Sequence, residues 1–403
     1  MYVPSLMFET DKKGMVINMT DTSIINAPRG AGRMSTRGVA ASVSLVAISA
    51  DLVFGFPRGA GQNAWLGLIL SLVMIVPLMC IYARLCSKLP GMSLFDMLEK
   101  LFGRVIGRVL SAALAIYAIA VGGFVLCGFG AFIHQTMLVN TPVIFTLVLL
   151  MATALYMASR GMAAIGRWSF AVLLGLAATA VFVTFCMIPH MRASNFLPVM
   201  ENGTGFVWSD ATRIYCYRFG EVVVVMMGAD FFNVRTDVRK IRSSVFSPRA
   251  FVWGGLISYA VIALIFLRCV AVLGGRAFSD TLYPSYRATS IIRLGSFLER
   301  IESALIAVYI MSGLAKAAIS IVGACKGAAK ACGAASYRLF LIPAGIVILA
   351  FAAAAYCDQN QLIVLVEQYI KMSLPFHTII PMAAWIVAEI RFFHRKPLTD
   401  DTK

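Results

Sequence analysis

Charge is scarce in this chain, and acidic charge is scarcest. Of 403 residues only 13% are Asp, Glu, Lys or Arg, and 19 acidic side chains face 35 basic ones. Hydrophobic residues make up 60% of the chain, and its mean hydropathy is +0.83. A soluble fold of this length has nowhere to put that much apolar surface. Catalytic and metal-binding signatures are missing as well. Four histidines, His134, His190, His377 and His394, are scattered without ligand spacing, and no His-Glu-x-x-His, phosphate-binding loop or Gly-x-Ser-x-Gly occurs. The nine cysteines are odd in number, form no Cys-x-x-Cys pair and fall mostly inside apolar runs, which speaks against a disulfide framework or a thiolate metal site. Nothing in the pattern asks for an enzyme, a metal or a cofactor.

What the chain has in quantity is long apolar runs. Read between polar breaks, they give ten spans at roughly 38–62, 64–86, 107–137, 142–159, 168–189, 214–232, 249–273, 299–323, 338–356 and 373–393. The expected fold is an all-α polytopic membrane protein. Residues 1–36 are polar, lack the apolar stretch of a signal peptide and read as a flexible cytoplasmic tail. The membrane domain covers 37–394, and 395–403 form a second short cytoplasmic tail. Lys and Arg concentrate in alternate connections: Arg235, Arg239, Lys240, Arg242 and Arg249 crowd one, whereas the last outer one holds only Lys371. The positive-inside rule then puts both termini in the cytoplasm. The excess positive charge is a topology signal and a hold on anionic lipid head groups, not a nucleic-acid footprint. In the inner connection, Ser93 can cap a short amphipathic helix with Asp96 in its first turn. The outer connections at about 189–213 and 274–298 both have room for short helices.

Ten spans divide into five and five, and an inverted repeat makes span 1 the counterpart of span 6. Span 1 ends in Phe54-Gly55-Phe56-Pro57-Arg58-Gly59-Ala60-Gly61. Span 6 holds Arg218-Phe219-Gly220-Glu221 and then Met227-Gly228-Ala229-Asp230. Helices interrupted in matching places are the best sequence pointer to a binding site at the midplane, where half-helix ends meet a charged ligand.

Ionisable residues at membrane depth are functional candidates. Asp51 falls roughly 20 Å into span 1, near the middle of a hydrocarbon core about 30 Å thick. It is either one partner of an ion pair or a protonated acid bonded to a carbonyl. Lys316 lies roughly 10 Å from the inner end of span 8. It either snorkels to the interface or reaches Asp51 and supplies a fixed positive charge. Glu221 either pairs with Arg218 at the outer interface or borders the cavity, gripping an ammonium or carrying a proton. Glu302, with Glu299, opens span 8, where the helix dipole alone favours an acid. Arg58 either clamps a carboxylate or points outward. By residue type alone, Tyr117, Phe124, Tyr309 and Met311 read as packing.

Several strings together resemble one family. FGFPRGAGQNAWLGLILS, LPGMSLFDMLEKLFGRVIGRVLS, Tyr217-Arg218-Phe219-Gly220-Glu221 and SFLERIESALIAVYIMSGLAKAAI are similar to the corresponding helices and inner connection of spore germination permeases, from about Gly38 to Phe393. The resemblance implies the B subunit of a GerA-type nutrient germinant receptor, within the amino acid permease superfamily. It further implies a LeuT-like fold of ten helices with broken helices 1 and 6, in the inner membrane of bacterial spores, beside an A subunit and a lipoprotein C subunit. A small germinant such as an amino acid would then lie against Gly55, Phe56, Arg58, Gly59, Phe219, Gly220 and Glu221, with Phe124 and Tyr309 closing the pocket. Asp51, Lys316 and Glu302 would serve as ion-pair or proton-coupling residues. A proton-coupled amino acid transporter is the alternative on the same fold.

Overall fold

A computed structural model describes residues 32–53, 61–199, 203–232, 249–291, 301–356 and 359–392. The chain is helical almost throughout them. In order, the helices are α1 (Thr36–Val53), α2 (Ala64–Lys88), α3 (Leu94–Phe102), α4 (Arg104–Thr136), α5 (Val143–Arg160), α6 (Met162–Met187), α7 (Thr204–Ile214), α8 (Val223–Met226), α9 (Arg249–Leu273), α10 (Gly275–Asp280), α11 (Pro284–Thr289), α12 (Ile301–Cys332), α13 (Leu341–Ala355), α14 (Gln359–Leu374) and α15 (Ile380–Phe392). Among the described residues, eight helical stretches are long and apolar enough to cross a membrane. The first and sixth spans fall outside that count: α1 has a shorter apolar run, Thr36–Ser49, and the sixth segment changes helix type along its length.

The spans lie where the apolar runs put them, but several boundaries move. The sixth begins ten residues earlier, at Thr204, because the polar residues before 214 still pack against α2. The eighth runs on to Cys332, where Lys326 and Lys330 find carboxylate partners. The packed region starts before residue 37: Met34 is buried and its N–H bonds the carbonyl of Phe231 at 2.7 Å. Residues 1–31 and 393–403, assigned to tails, lie outside the described residues, as do 54–60, where the first helix break is expected.

Two expected local features are present. Ser93 caps α3, its Oγ accepting from the Asp96 N–H at 3.2 Å, and Gly103, at φ 87°, turns the chain directly into α4. The connection after α9 carries two short helices, α10 and α11. At the centre, α12 packs along α4 and also touches α1, α5 and α6, and 72% of its most apolar window is buried inside the protein. By contrast α5 and α13 bury about a third or less of theirs, leaving rows such as Phe145, Leu149, Ile342 and Ile346 facing outward. That is the pattern of a bundle whose outer helices face lipid.

Candidate functional site

The sixth segment is interrupted without being unwound. After α7 the chain makes a π turn at Tyr215–Phe219, a tight 3-10 turn at Gly220–Val222, and then α8. π turns insert one extra residue into a helix and recur at functional sites. Of the two alternatives for Glu221, the pair with Arg218 at the outer interface is not found among the described residues. Glu221 instead turns into the protein and is 1% exposed.

Both oxygens of Glu221 have partners. Oε2 takes the ammonium of Lys316, which is itself 1% exposed. Oε1 accepts from the Tyr369 hydroxyl at 2.7 Å, and that hydroxyl lies 3.3 Å from the hydroxyl of Tyr117. Lys316 therefore sits at the middle of α12 and does not snorkel, because the helix continues well beyond the inner end expected of it. Its carboxylate partner is Glu221. The side chain of Asp51, the partner expected from the sequence, lies outside the described residues. A buried ion pair of this kind survives only when its remaining hydrogen-bonding capacity is met, and Tyr369 helps to meet it.

Aromatic rings wall the pair. Tyr117 stacks on Phe376 with centroids 5.1 Å apart and on Tyr369 at 6.2 Å. Phe124 leans on Tyr369 at 4.7 Å, and Tyr217 meets it edge-on at 6.0 Å. These rings come from α4, the π turn of the sixth segment, α14 and the turn that follows it. A second π turn, Pro375–Ile379, joins α14 to α15 and faces the first. The Tyr215 hydroxyl and Thr378 Oγ1 lie 2.8 Å apart, and the Tyr215 and His377 rings meet at 5.6 Å. A Cβ on Gly220 would stand 2.6 Å from the His377 ring, so only glycine admits this approach.

Further along α12 a second ion pair joins the same two segments. Lys326 binds Asp230 and lies over the ring of Phe231, 4.7 Å from its centroid. Lys330 binds Asp96, at 2.7 Å, and Glu99, both on α3.

The sequence-predicted residues divide accordingly. Phe219, Gly220, Glu221, Phe124 and Lys316 come together in one buried region. Tyr309 is buried on α12 but bonds elsewhere, its hydroxyl 2.7 Å from Ser285 Oγ. Gly55, Phe56, Arg58 and Gly59 lie outside the described residues, as do the side chains of Asp51 and Glu302. Sequence reasoning missed Tyr369 and His377: the last span is polar at its start, and no periodicity announces a π turn. A cleft of about 490 Å³ between the end of α4 and α11, lined by His134, Gln135, Tyr283, Tyr286 and Arg287 among others, shares none of the residues of the buried pair.

A membrane bundle with an interrupted sixth helix closing on a buried charge defines a permease-like class, and comparison with known proteins agrees. The family model described as "Spore germination protein" matches residues 34–361, and the chain belongs to that family. Spore germination protein KB of Bacillus subtilis (strain 168) is 24% identical over 371 residues, covering 88% of this chain and 94% of that protein. Among solved structures, Mhp1, a nucleobase-cation-symport-1 family transporter in a closed conformation with bromovinylhydantoin bound, superimposes with a TM-score of 0.65 at 13% identity, covering 91% of this chain and 79% of that one. MhsT in complex with L-phenylalanine gives a TM-score of 0.57 at 12% identity, covering 91% of each. The fold is thus the LeuT-like transporter fold.

Proposed function

We propose that this protein is the membrane subunit of a spore nutrient receptor that binds a small germinant, an amino acid by preference, and signals its presence to start germination. The observation that carries this reading is the Glu221–Lys316 pair, seated where the sixth segment changes helix type and walled by aromatic rings. Bound ammonium groups favour aromatic faces and a carboxylate. In this proposal a ligand carboxylate meets residues 55–59, where the sequence leads one to expect the first helix break, with Arg58 beside it. An arriving ammonium would then compete with Lys316 for Glu221, converting occupancy into a change of charge pairing. Asp51 and Glu302 are further candidates for that exchange. The relative named for spore germination and the neighbour holding L-phenylalanine support the reading. The same proposal includes cytoplasmic termini, the spore inner membrane as its location, and A and C subunits as partners.

A second reading, a proton-coupled amino acid transporter, is favoured by the run of hydroxyls from Glu221 through Tyr369 to Tyr117, which can pass a proton. Proteoliposomes loaded with the purified protein separate the two. Saturable binding of a labelled amino acid without accumulation supports the receptor; uphill accumulation driven by a proton gradient supports the transporter. Gly55→Val should abolish ligand response in spores scored on single nutrients while leaving the protein in the membrane. A normal response from that variant would remove the first helix break from the site.

A further inference from the structure

Arg268, near the end of α9, is 2% exposed, and among the described residues no carboxylate pairs with it. Its partners are all neutral. Nη1 donates to the Ala180 carbonyl at 3.3 Å and to Thr184 Oγ1 at 3.4 Å; Nη2 donates to Ser285 Oγ at 3.0 Å. The Tyr309 hydroxyl and the Cys269 thiol face the same guanidinium. Nε has no hydrogen-bond partner.

The hydroxyl protons can be followed one by one. Thr184 gives its proton to the Ala180 carbonyl at 2.6 Å. Ser285 and Tyr309 have two protons and share one bond, at 2.7 Å. One of those protons, like the Nε–H, is left without an oxygen to accept it; the thiol is a weak acceptor only. Among the described residues the cluster thus holds one whole positive charge, two spare donors and no negative charge. An unpaired charge and unpaired donors away from water are costly, and both costs fall together if one anion binds. The cluster is enclosed, with Ser285 3% and Tyr309 2% exposed, so the anion must be small.

We propose that Arg268, Ser285 and Tyr309 form an occluded site for a small monovalent anion of chloride size. Tyr309 and Lys316 lie two helical turns apart on one face of α12, roughly 10 Å along its axis. The site is therefore separate from the Glu221 pair and independent of the germinant reading, yet it loads the same helix.

The test uses the full chain in nanodiscs without any amino acid, comparing sodium chloride, sodium bromide and sodium gluconate at equal ionic strength. Chloride and bromide should raise the thermal midpoint above that in gluconate, which is too large to enter, and the rise should grow with the logarithm of halide concentration. Arg268→Gln should lose the halide shift. Should that variant fail to fold, Tyr309→Phe serves instead, with a weakened halide shift. A bromide derivative should place an anomalous peak beside the guanidinium. Equal midpoints in chloride and gluconate would overturn the proposal, as they would if a carboxylate of the chain filled the site. An unchanged halide shift in Arg268→Gln, or a stabilisation seen only with carboxylate-bearing nutrients, would overturn it too.

Discussion

Gly220 and the ring of His377 approach so closely that one added carbon would stand 2.6 Å from the imidazole. The contact locks the interrupted sixth segment against the π turn between α14 and α15, with the Tyr215–Thr378 bond beside it. Gly220→Ala must push His377 out of its place, where Thr378 and Ser373 hold its two nitrogens. The expected cost is about 1–3 kcal/mol, read as a lower thermal midpoint of the purified protein. A larger side chain at the same position should abolish nutrient response in spores. A Gly220→Ala midpoint equal to the parent's would show that the contact is not tight.

Lys316→Met leaves the Glu221 carboxylate buried without its cation. Breaking a buried pair from one side costs about 3–5 kcal/mol. Glu221→Gln alone should also destabilise, by stranding Lys316. The double variant should recover much of the loss in a thermal denaturation cycle. Additive losses in the double variant would mean that the two residues do not depend on each other.

Tyr369→Phe keeps the ring among Tyr117, Phe124 and Tyr217 but removes the hydroxyl that donates to Glu221. A hydrogen bond to a charged group is worth about 1.5–3 kcal/mol, and the midpoint should fall accordingly while the fold persists. If the hydroxyl chain carries protons, any proton-driven uptake in proteoliposomes should vanish with it. Tyr369→Ala should be worse in stability, because the stacking goes as well.

Asp96 supplies a pH prediction. Burial pushes its carboxyl up, but hydrogen bonds from Lys330 and Ser93 outweigh that and hold it below the ordinary value. A carboxylate depressed in this way binds fewer protons folded than unfolded. Its stabilisation is present above the ordinary Asp value of about 4 and is lost as pH falls through the lowered folded value. Amide exchange in α3 should therefore speed up relative to α4 in acid, and Asp96→Asn should flatten that dependence. An α3 whose exchange, corrected for intrinsic rates, ignores acid in the parent protein would refute the assignment.

Much of the fold was legible because membrane helices announce themselves by length and apolarity alone. The cap at Ser93 was legible too, since serine followed by an acid three residues on has a local mechanism. Glu221 and Lys316 stood out singly for the same reason: charge inside an apolar run is conspicuous. Their pairing was not legible. It depends on how the sixth segment, α12 and α14 meet, and on a π turn that has no sequence period. The length of α12 was hidden because Lys326 and Lys330 look like the polar end of a span until their acids on α3 and the sixth segment are known. Tyr369 lies just before residue 373, where the last expected span begins, so its place over Glu221 came only from the tertiary arrangement.

The two lysines of α12 that hold Glu221 and Asp230 have a mechanical consequence. Both segments run in the same direction, and the bonds fall at nearly matched intervals along them. Two such attachments remove sliding and rotation together. While both bonds hold, the stretch from Glu221 to Asp230 moves with α12. The π turn before that stretch is held separately, by Tyr215 and Gly220 against the turn between α14 and α15, so the sixth segment is tied to two neighbours in succession.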